Sequence, residues 1–226
     1  MQLPLNRQAL RRTAGALRHG VVLAVGATLL VGGCTDEAQK RPAGVSSREL
    51  CDGTLDAEAR AALGRLSGAD RFTELSGKND AGESNAFSVS RAIGHLHDEP
   101  GLRSTCRVYP TDDDSDFPLI EIEFLAARQH PAPLTAAQGG MVPFRVGAYA
   151  AAGKYGADLY FACTTTGTGA SAGGDTPFVK AEMLSPSLGA RDPRDRMVIL
   201  TSVARAVARA AGCAEEAGLP RTVAQG

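Results

Sequence analysis

Little in this chain is equipped for chemistry. It contains no C-x-x-C and no closely spaced Cys/His pair, so it lacks the ligand spacing of a structural zinc site. Its serines and histidines show no arrangement from which a catalytic triad could be argued. Tryptophan is absent, and of the 24 basic residues only four are lysines. A bilayer-spanning helix needs about 20 apolar residues, and the apolar stretch Gly20 to Val31 has 12. That excludes a transmembrane anchor there and leaves the h-region of an export signal.

What is present begins with that signal. Met1 to His19 carries Arg7, Arg11, Arg12 and Arg18 and no acidic residue. Val31-Gly32-Gly33-Cys34 closes the apolar stretch and resembles the lipobox of bacterial lipoproteins. The resemblance implies that residues 1–33 are removed and that Cys34 receives a diacylglyceryl group. Two acyl chains give stable membrane attachment where one gives only marginal binding, so the expected location is the cell membrane, lipid-anchored, on its extracellular side. Arg11-Arg12 lacks the bulky apolar residues that usually follow a twin-arginine pair, and the export route stays open.

Without the leader, 193 residues remain, with 20 basic residues against 25 acidic ones and a formal charge of −5. An acidic balance argues against nucleic acid or a polybasic membrane contact. The arginine, alanine and glycine usage, together with the lipobox, resembles the uncharacterised secreted lipoproteins of actinobacteria. Residues 34–48 are polar and read as a flexible tether. Residues 49–226 read as a single α+β domain.

Within the domain, Asp56 is placed to cap a helix with Ala59, Ala62, Leu63 and Leu66 inward and Gly68 at its end. Residues 73–85 read as loop, and Ser88 to Asp98 as a short helix with Val89, Ile93 and Leu96 as its buried stripe. Alternation then predicts strands over Thr105–Tyr109, Leu119–Leu125, Ala157–Thr164 and Phe178–Leu184, with a further one at Phe144–Val146. The expected fold is an antiparallel sheet of four or five strands with helices packed on one face. The last helix starts at Asp192-Pro193 and stops at Gly212, with Leu200, Val203, Val207 and Ala211 inward and Thr201, Arg205 and Arg209 outward.

Setting Cys34 aside leaves four cysteines, hence two disulfides. Cys163 lies on the inward face of a strand and Cys213 just past the helix that covers it; Cys51 precedes the first helix and Cys106 points inward from the first strand. The expected pairs are Cys51–Cys106 and Cys163–Cys213. Other patterns fail on context. Asp112, Asp114, Asp116 and Glu123 partly match a calcium loop, but Phe117 stands where glycine is needed, which leaves an acidic hairpin turn. His95 and His97, two apart on a helix, point away from each other. Gly167-Thr168-Gly169-Ala170-Ser171-Ala172 matches G-x-G-x-x-A, but a strand rather than a helix follows. No metal or cofactor is expected.

The remaining feature is the polar sheet face, where Arg107, Tyr109, Glu121, Glu123, Asp158, Tyr160, Lys180 and Glu182 should cluster. The favoured expectation is non-catalytic binding of a ligand or partner there. The alternative is a cell-envelope hydrolase using Glu121 and Glu123, about 7 Å apart at Cα. A solute-binding component of a transporter would normally need a longer chain. Cys34→Ala is expected to move the protein from the membrane fraction to an unprocessed or soluble one with both disulfides intact. Unchanged membrane attachment after leader cleavage would contradict the lipobox reading.

Overall fold

The computed structural model describes residues 44–79, 82–111, 117–167 and 175–224; Cys34, Asp112 to Asp116 and Thr168 to Ala172 of the glycine-rich motif lie outside them. In chain order the elements are β1 (Val45–Ser46), α1 (Leu50–Gly53), α2 (Ala57–Ser67), β2 (Arg71–Glu74), α3 (Val89–Gly94), β3 (Cys106–Pro110), β4 (Ile120–Ala127), β5 (Val142–Pro143), β6 (Tyr149–Ala152), β7 (Gly156–Thr166), β8 (Asp175–Leu184), α4 (Pro193–Ala210) and α5 (Ala214–Ala217). The strands form one antiparallel sheet in the order β1-β2-β3-β4-β8-β7-β6-β5. It consists of two four-stranded meanders, β1–β4 and β5–β8, joined along β4 and β8. Glu121–Ala127 pairs there with Phe178–Leu184.

Period-two alternation decides which face is inner. Ile120, Ile122 and Phe124 of β4, Leu159, Phe161 and Cys163 of β7, and Val179, Ala181 and Met183 of β8 are all buried. The residues between them are partly exposed. Helix α4 covers this inner face, packed against β6, β7 and β8, and α2 and α3 pack on α4. That second contact explains why Thr201, expected on the outer side of α4, is buried at 2% exposure. Ser202 beside it links α4 to the start of α2, donating to the Thr54 carbonyl and accepting from the Asp56 amide, both at 2.9 Å. Among the described residues no helix is long and apolar enough to cross a membrane.

Both long helices begin and end for local reasons. The Asp56 side chain accepts from the Ala59 amide, and Gly68 closes α2 in the left-handed conformation. Asp192 caps α4 through the Arg194 amide, with Pro193 at its first position. Helix α3 is shorter than expected and Ala92 is its buried residue; of the expected stripe, Leu96 is buried just beyond the helix, while Val89 and Ile93 are partly buried against the core.

Among the described residues the sheet has eight strands, not four or five, because the additional ones are too short for alternation to register. β1 and β5 have two residues each. β2 holds one buried residue, Phe72, within a segment that reads as the edge of a polar loop. In β6, Ala150, Ala151 and Ala152 are buried consecutively, which erases the period. Phe144 to Val146 is not a strand; Phe144 and Val146 are buried in the turn between β5 and β6, where the Phe144 amide donates to the Ala150 carbonyl. β1 lies within the stretch read as tether. Gly44 just before it is packed so tightly that a Cβ would fall 2.0 Å from Thr111 Oγ1.

The disulfides are Cys51–Cys106 and Cys163–Cys213, as expected, with Cα separations of 5.4 and 5.3 Å. The first fastens a left-handed turn to β3: Cys51, Asp52 and Gly53 all have positive φ, a conformation strained for the two residues with a Cβ. Glu74 and Asp52 stabilise it. Glu74 accepts from the Cys51 and Phe87 amides, and Asp52 from the Val89 amide. The second fastens β7 to the end of α4. Loops of this length, 55 and 50 residues, correspond to about 4 kcal/mol each in the chain-entropy account.

Arg196 is the largest fully buried side chain. Its guanidinium donates to Ser185 Oγ and to the carbonyls of Arg191, Lys154 and Gly189. A buried charge normally needs a counter-ion; here four oxygens from two loops solvate it and fix both loops to α4. Burial still lowers its pKa, against the pull of Asp192 and Asp195. Arg196→Met leaves those acceptors unsatisfied at roughly 1 kcal/mol each. It is expected to lower the unfolding free energy by about 4 kcal/mol in a urea titration with an unchanged slope.

Candidate functional site

The outward residues of β3, β4, β8, β7 and β6 line up in cross-strand rows, because directly paired residues in an antiparallel sheet share a face. One row runs Arg107, Glu121, Leu184, Gly156; the next runs Glu123, Glu182, Asp158, Ala151; the third runs Leu125, Lys180, Tyr160, Tyr149. The middle row places three carboxylates side by side on three adjacent strands. Like charges directly opposite are destabilising, and the neighbouring rows supply the compensation.

Lys180 is central to it. Its Nζ lies 2.6 Å from Glu182 Oε2 and 2.9 Å from Asp158 Oδ1, and 5.9 Å from the centre of the Tyr160 ring. Tyr149 packs edge-on against Tyr160 at 5.7 Å. Desolvation alone would lower the Lys180 ammonium, but the hydrogen bonds to Glu182 and Asp158 outweigh it and hold the pKa above the usual lysine value. Glu121 is gripped by Arg107 through two contacts of 3.0 and 3.1 Å, a fork that matches the planar carboxylate. Burial pushes the tyrosine hydroxyls of residues 149 and 160 up as well.

Glu123 is the least compensated of the acids. Among the described residues its only ion pair is a 3.4 Å contact with Arg103. Desolvation pushes its carboxyl above the usual value, Glu182 and Glu121 push the same way, and Arg103 opposes them without prevailing.

Two grooves open on this face. One, of about 360 Å³, is lined by Pro100, Gly101, Arg107, Glu121, Glu123, Glu182 and Leu184. The other, of about 390 Å³, lies between the turn containing Met141, the turn containing Tyr155, and the ends of β7 and β8. They share Glu182 and Leu184. Leu184 is 49% exposed and Tyr155 61%, so apolar surface stands directly beside the charged rows. Both volumes fall in the range of small-molecule sites, about 300–1,000 Å³.

The structure thus brings together Arg107, Glu121, Glu123, Asp158, Tyr160, Lys180 and Glu182. Tyr109 is further out, opposite Thr73 of β2, and lines neither groove. Four contributors were not foreseen. Pro100 opens a short 3-10 turn, Pro100–Leu102, that Arg103 follows; Tyr155 comes from a hairpin turn, and Leu184 from the outward phase of the strand that also carries Lys180 and Glu182. Leu184 carried a signal, since a large apolar residue in the polar phase breaks the alternation.

The other motifs resolve in this frame. β7 and β8 pair as far as Thr166 and Asp175, so the glycine-rich segment joins two strands of a hairpin and no helix follows it. It also spells Gly169-Ala170-Ser171-Ala172-Gly173, the G-x-S-x-G of a nucleophile elbow. An elbow requires a helix immediately after the serine, and Asp175 begins β8 instead. His95 Nδ1 meets Asp98 Oδ2 at 2.7 Å while His97 Nε2 meets Thr165 Oγ1 at 3.1 Å, so the two are engaged separately. Among the described residues no group of three or more His, Cys, Asp and Glu side chains could hold a metal ion.

No family model, curated protein or solved structure matches the chain.

The charge balance makes a testable statement about pH. A carboxyl whose folded pKa is raised favours folding most when protonated, so its contribution is full below the unfolded value and is lost as pH rises through the folded one. Ionised Glu123 therefore weakens the fold at neutral pH. Glu123→Gln is expected to stabilise the protein by roughly 0.5 kcal/mol at pH 7. In chemical denaturation at a series of pH values, the advantage should vanish below about pH 4.

Proposed function

We propose that this chain is a lipoprotein held at the extracellular side of the cell membrane by a diacylglyceryl group on Cys34, and that its folded part binds a ligand or protein partner through the open sheet face without catalysing a reaction. One observation carries the binding role: two adjoining grooves share Glu182 and Leu184, with exposed apolar side chains set against compensated charges. Binding surfaces typically combine an apolar or aromatic anchor with arginine and a polar rim. Leu184, Tyr155 and Met141 offer the anchor, and Arg107, Glu121 and Glu182 the rim. Two disulfides suit an exported chain. An acidic domain gives no support to nucleic acid as a partner.

A second reading, a cell-envelope hydrolase using Glu121 and Glu123, draws on the raised carboxyl of Glu123, which suits a general acid. Its weakness is Glu121. Both oxygens of that side chain are engaged by Arg107, so the second carboxylate such a mechanism needs is already committed to a structural pair.

The test is site-resolved crosslinking in intact cells. A photoreactive residue at position 184 is expected to yield a discrete adduct by mass spectrometry, and one at the exposed β2 residue Arg71 is expected to yield none. If both positions returned only lipid and the protein itself, the binding role of this face would be refuted.

A further inference from the structure

The far side of α4 holds a second feature that shares no residue with the sheet grooves. Arg205, Arg209 and Arg221, together with Ala208, Ala214 and Leu219, line a pocket of about 180 Å³. Arg205 and Arg209, one turn apart, lie on the same side of α4. Arg221 arrives from the segment after α5. That segment is fastened in place: Val223 is buried at 4% exposure, its carbonyl accepts from Arg194 Nη2, and the Ala224 carbonyl accepts from the Arg145 amide. The three guanidinium groups are thus placed by the fold and not only by neighbouring positions on one helix.

The charges do not balance. Arg205 is largely buried and lies 3.3 Å from Asp56 Oδ2. Arg209 and Arg221 are exposed, and among the described residues neither has a carboxylate partner. Two uncompensated cations thus border one hole in a chain whose formal charge is −1. Ala208, Ala214 and Leu219 supply apolar walls that reduce solvent screening at its base. Of the last four carbonyls of α4, those of Val207, Ala208 and Arg209 accept from the Ala211, Cys213 and Gly212 amides respectively, which weakens the negative end of the helix without abolishing it. The volume is too small for a drug-sized ligand, which occupies at least about 300 Å³.

From this geometry we infer that the pocket lined by Arg205, Arg209 and Arg221 binds a phosphate group. Guanidinium groups recognise phosphate oxygens through paired N–H donors, and two free forks beside a third fixed by Asp56 offer donors from more than one direction. The phosphate comes either from a free anion or from the headgroup of an anionic lipid, and both present the same oxygens. The site stands independently of the binding role argued for the sheet face.

The experiment follows the arginine Nε–H resonances of the full chain carrying Cys34→Ala during titration with inorganic phosphate, at constant ionic strength maintained with chloride. The same protein is sedimented with phosphatidylglycerol or phosphatidylcholine vesicles. Saturable shifts confined to Arg205, Arg209 and Arg221 are expected in the first arm if a free anion is the ligand. Preferential sedimentation with phosphatidylglycerol is expected in the second if a lipid headgroup is. In whichever arm responds, Arg209→Gln combined with Arg221→Gln should weaken binding at least ten-fold, and Arg71→Gln should leave it unchanged. Non-saturable shifts together with equal sedimentation on both lipids would overturn the inference. So would an equal loss in the Arg71→Gln control.

Discussion

The pairing of β4 with β8 is the contact on which the rest of the molecule depends. Without it the chain would be two four-stranded meanders, each with an unpaired edge and an incompletely covered apolar face. With it, Ile122 and Phe124 stand beside Met183 and Ala181 on the inner side, and α4 has a continuous surface to cover. Register follows from the same pairing. A shift of one residue would turn the apolar side chains of β4 outward, so the core and the arrangement of the outer rows are settled together.

That coupling explains the electrostatics of the outer face. Placing Ile122 against Met183 also places Glu123 opposite Glu182, with Asp158 next along. The inner face thus imposes a row of acids on the outer one. Lys180 compensates two of them from the adjacent row, Arg107 takes Glu121, and Arg103 reaches in from a turn to take Glu123 incompletely. Of these, the Glu123 contact is the longest, and it borders the groove. A carboxyl left short of compensation is an ordinary way for a structure to keep interaction capacity where a ligand could use it.

Much of the sheet was legible in the residues, in proportion to how long each pattern persists. β4, β7 and β8 keep one apolar phase for three or more repeats, and the central members of their inward sets were readable, though not Ala157 or Thr176 at the ends. α2 and α4 carry a capping aspartate and a glycine just beyond their ends. The pairing of four cysteines followed from which of them shared the inner face. What escaped was short or irregular: two-residue edge strands, the alanine run of β6, and the turns that bring Arg103 to Glu123 and Tyr155 to its groove. Thr201 was misplaced for a different reason. A helix covered on two sides has no solvent face along part of its length, and amphipathic spacing alone does not reveal the second partner. The arginine pocket was half visible, as Arg205 and Arg209 on one helix side. Arg221 was not, because only the packing of the tail brings it there.

The two disulfides join the first cysteine of the folded region to the second and the third to the fourth, and the two loops they close do not overlap. A chain that becomes oxidised from its N-terminus onward meets each correct partner before any competing one beyond it has emerged. If Cys34 is withheld from pairing by acylation, native connectivity would then be reached in order of appearance, without thiol–disulfide exchange. For a polypeptide delivered end first, the cysteine order itself would thus act as a folding instruction.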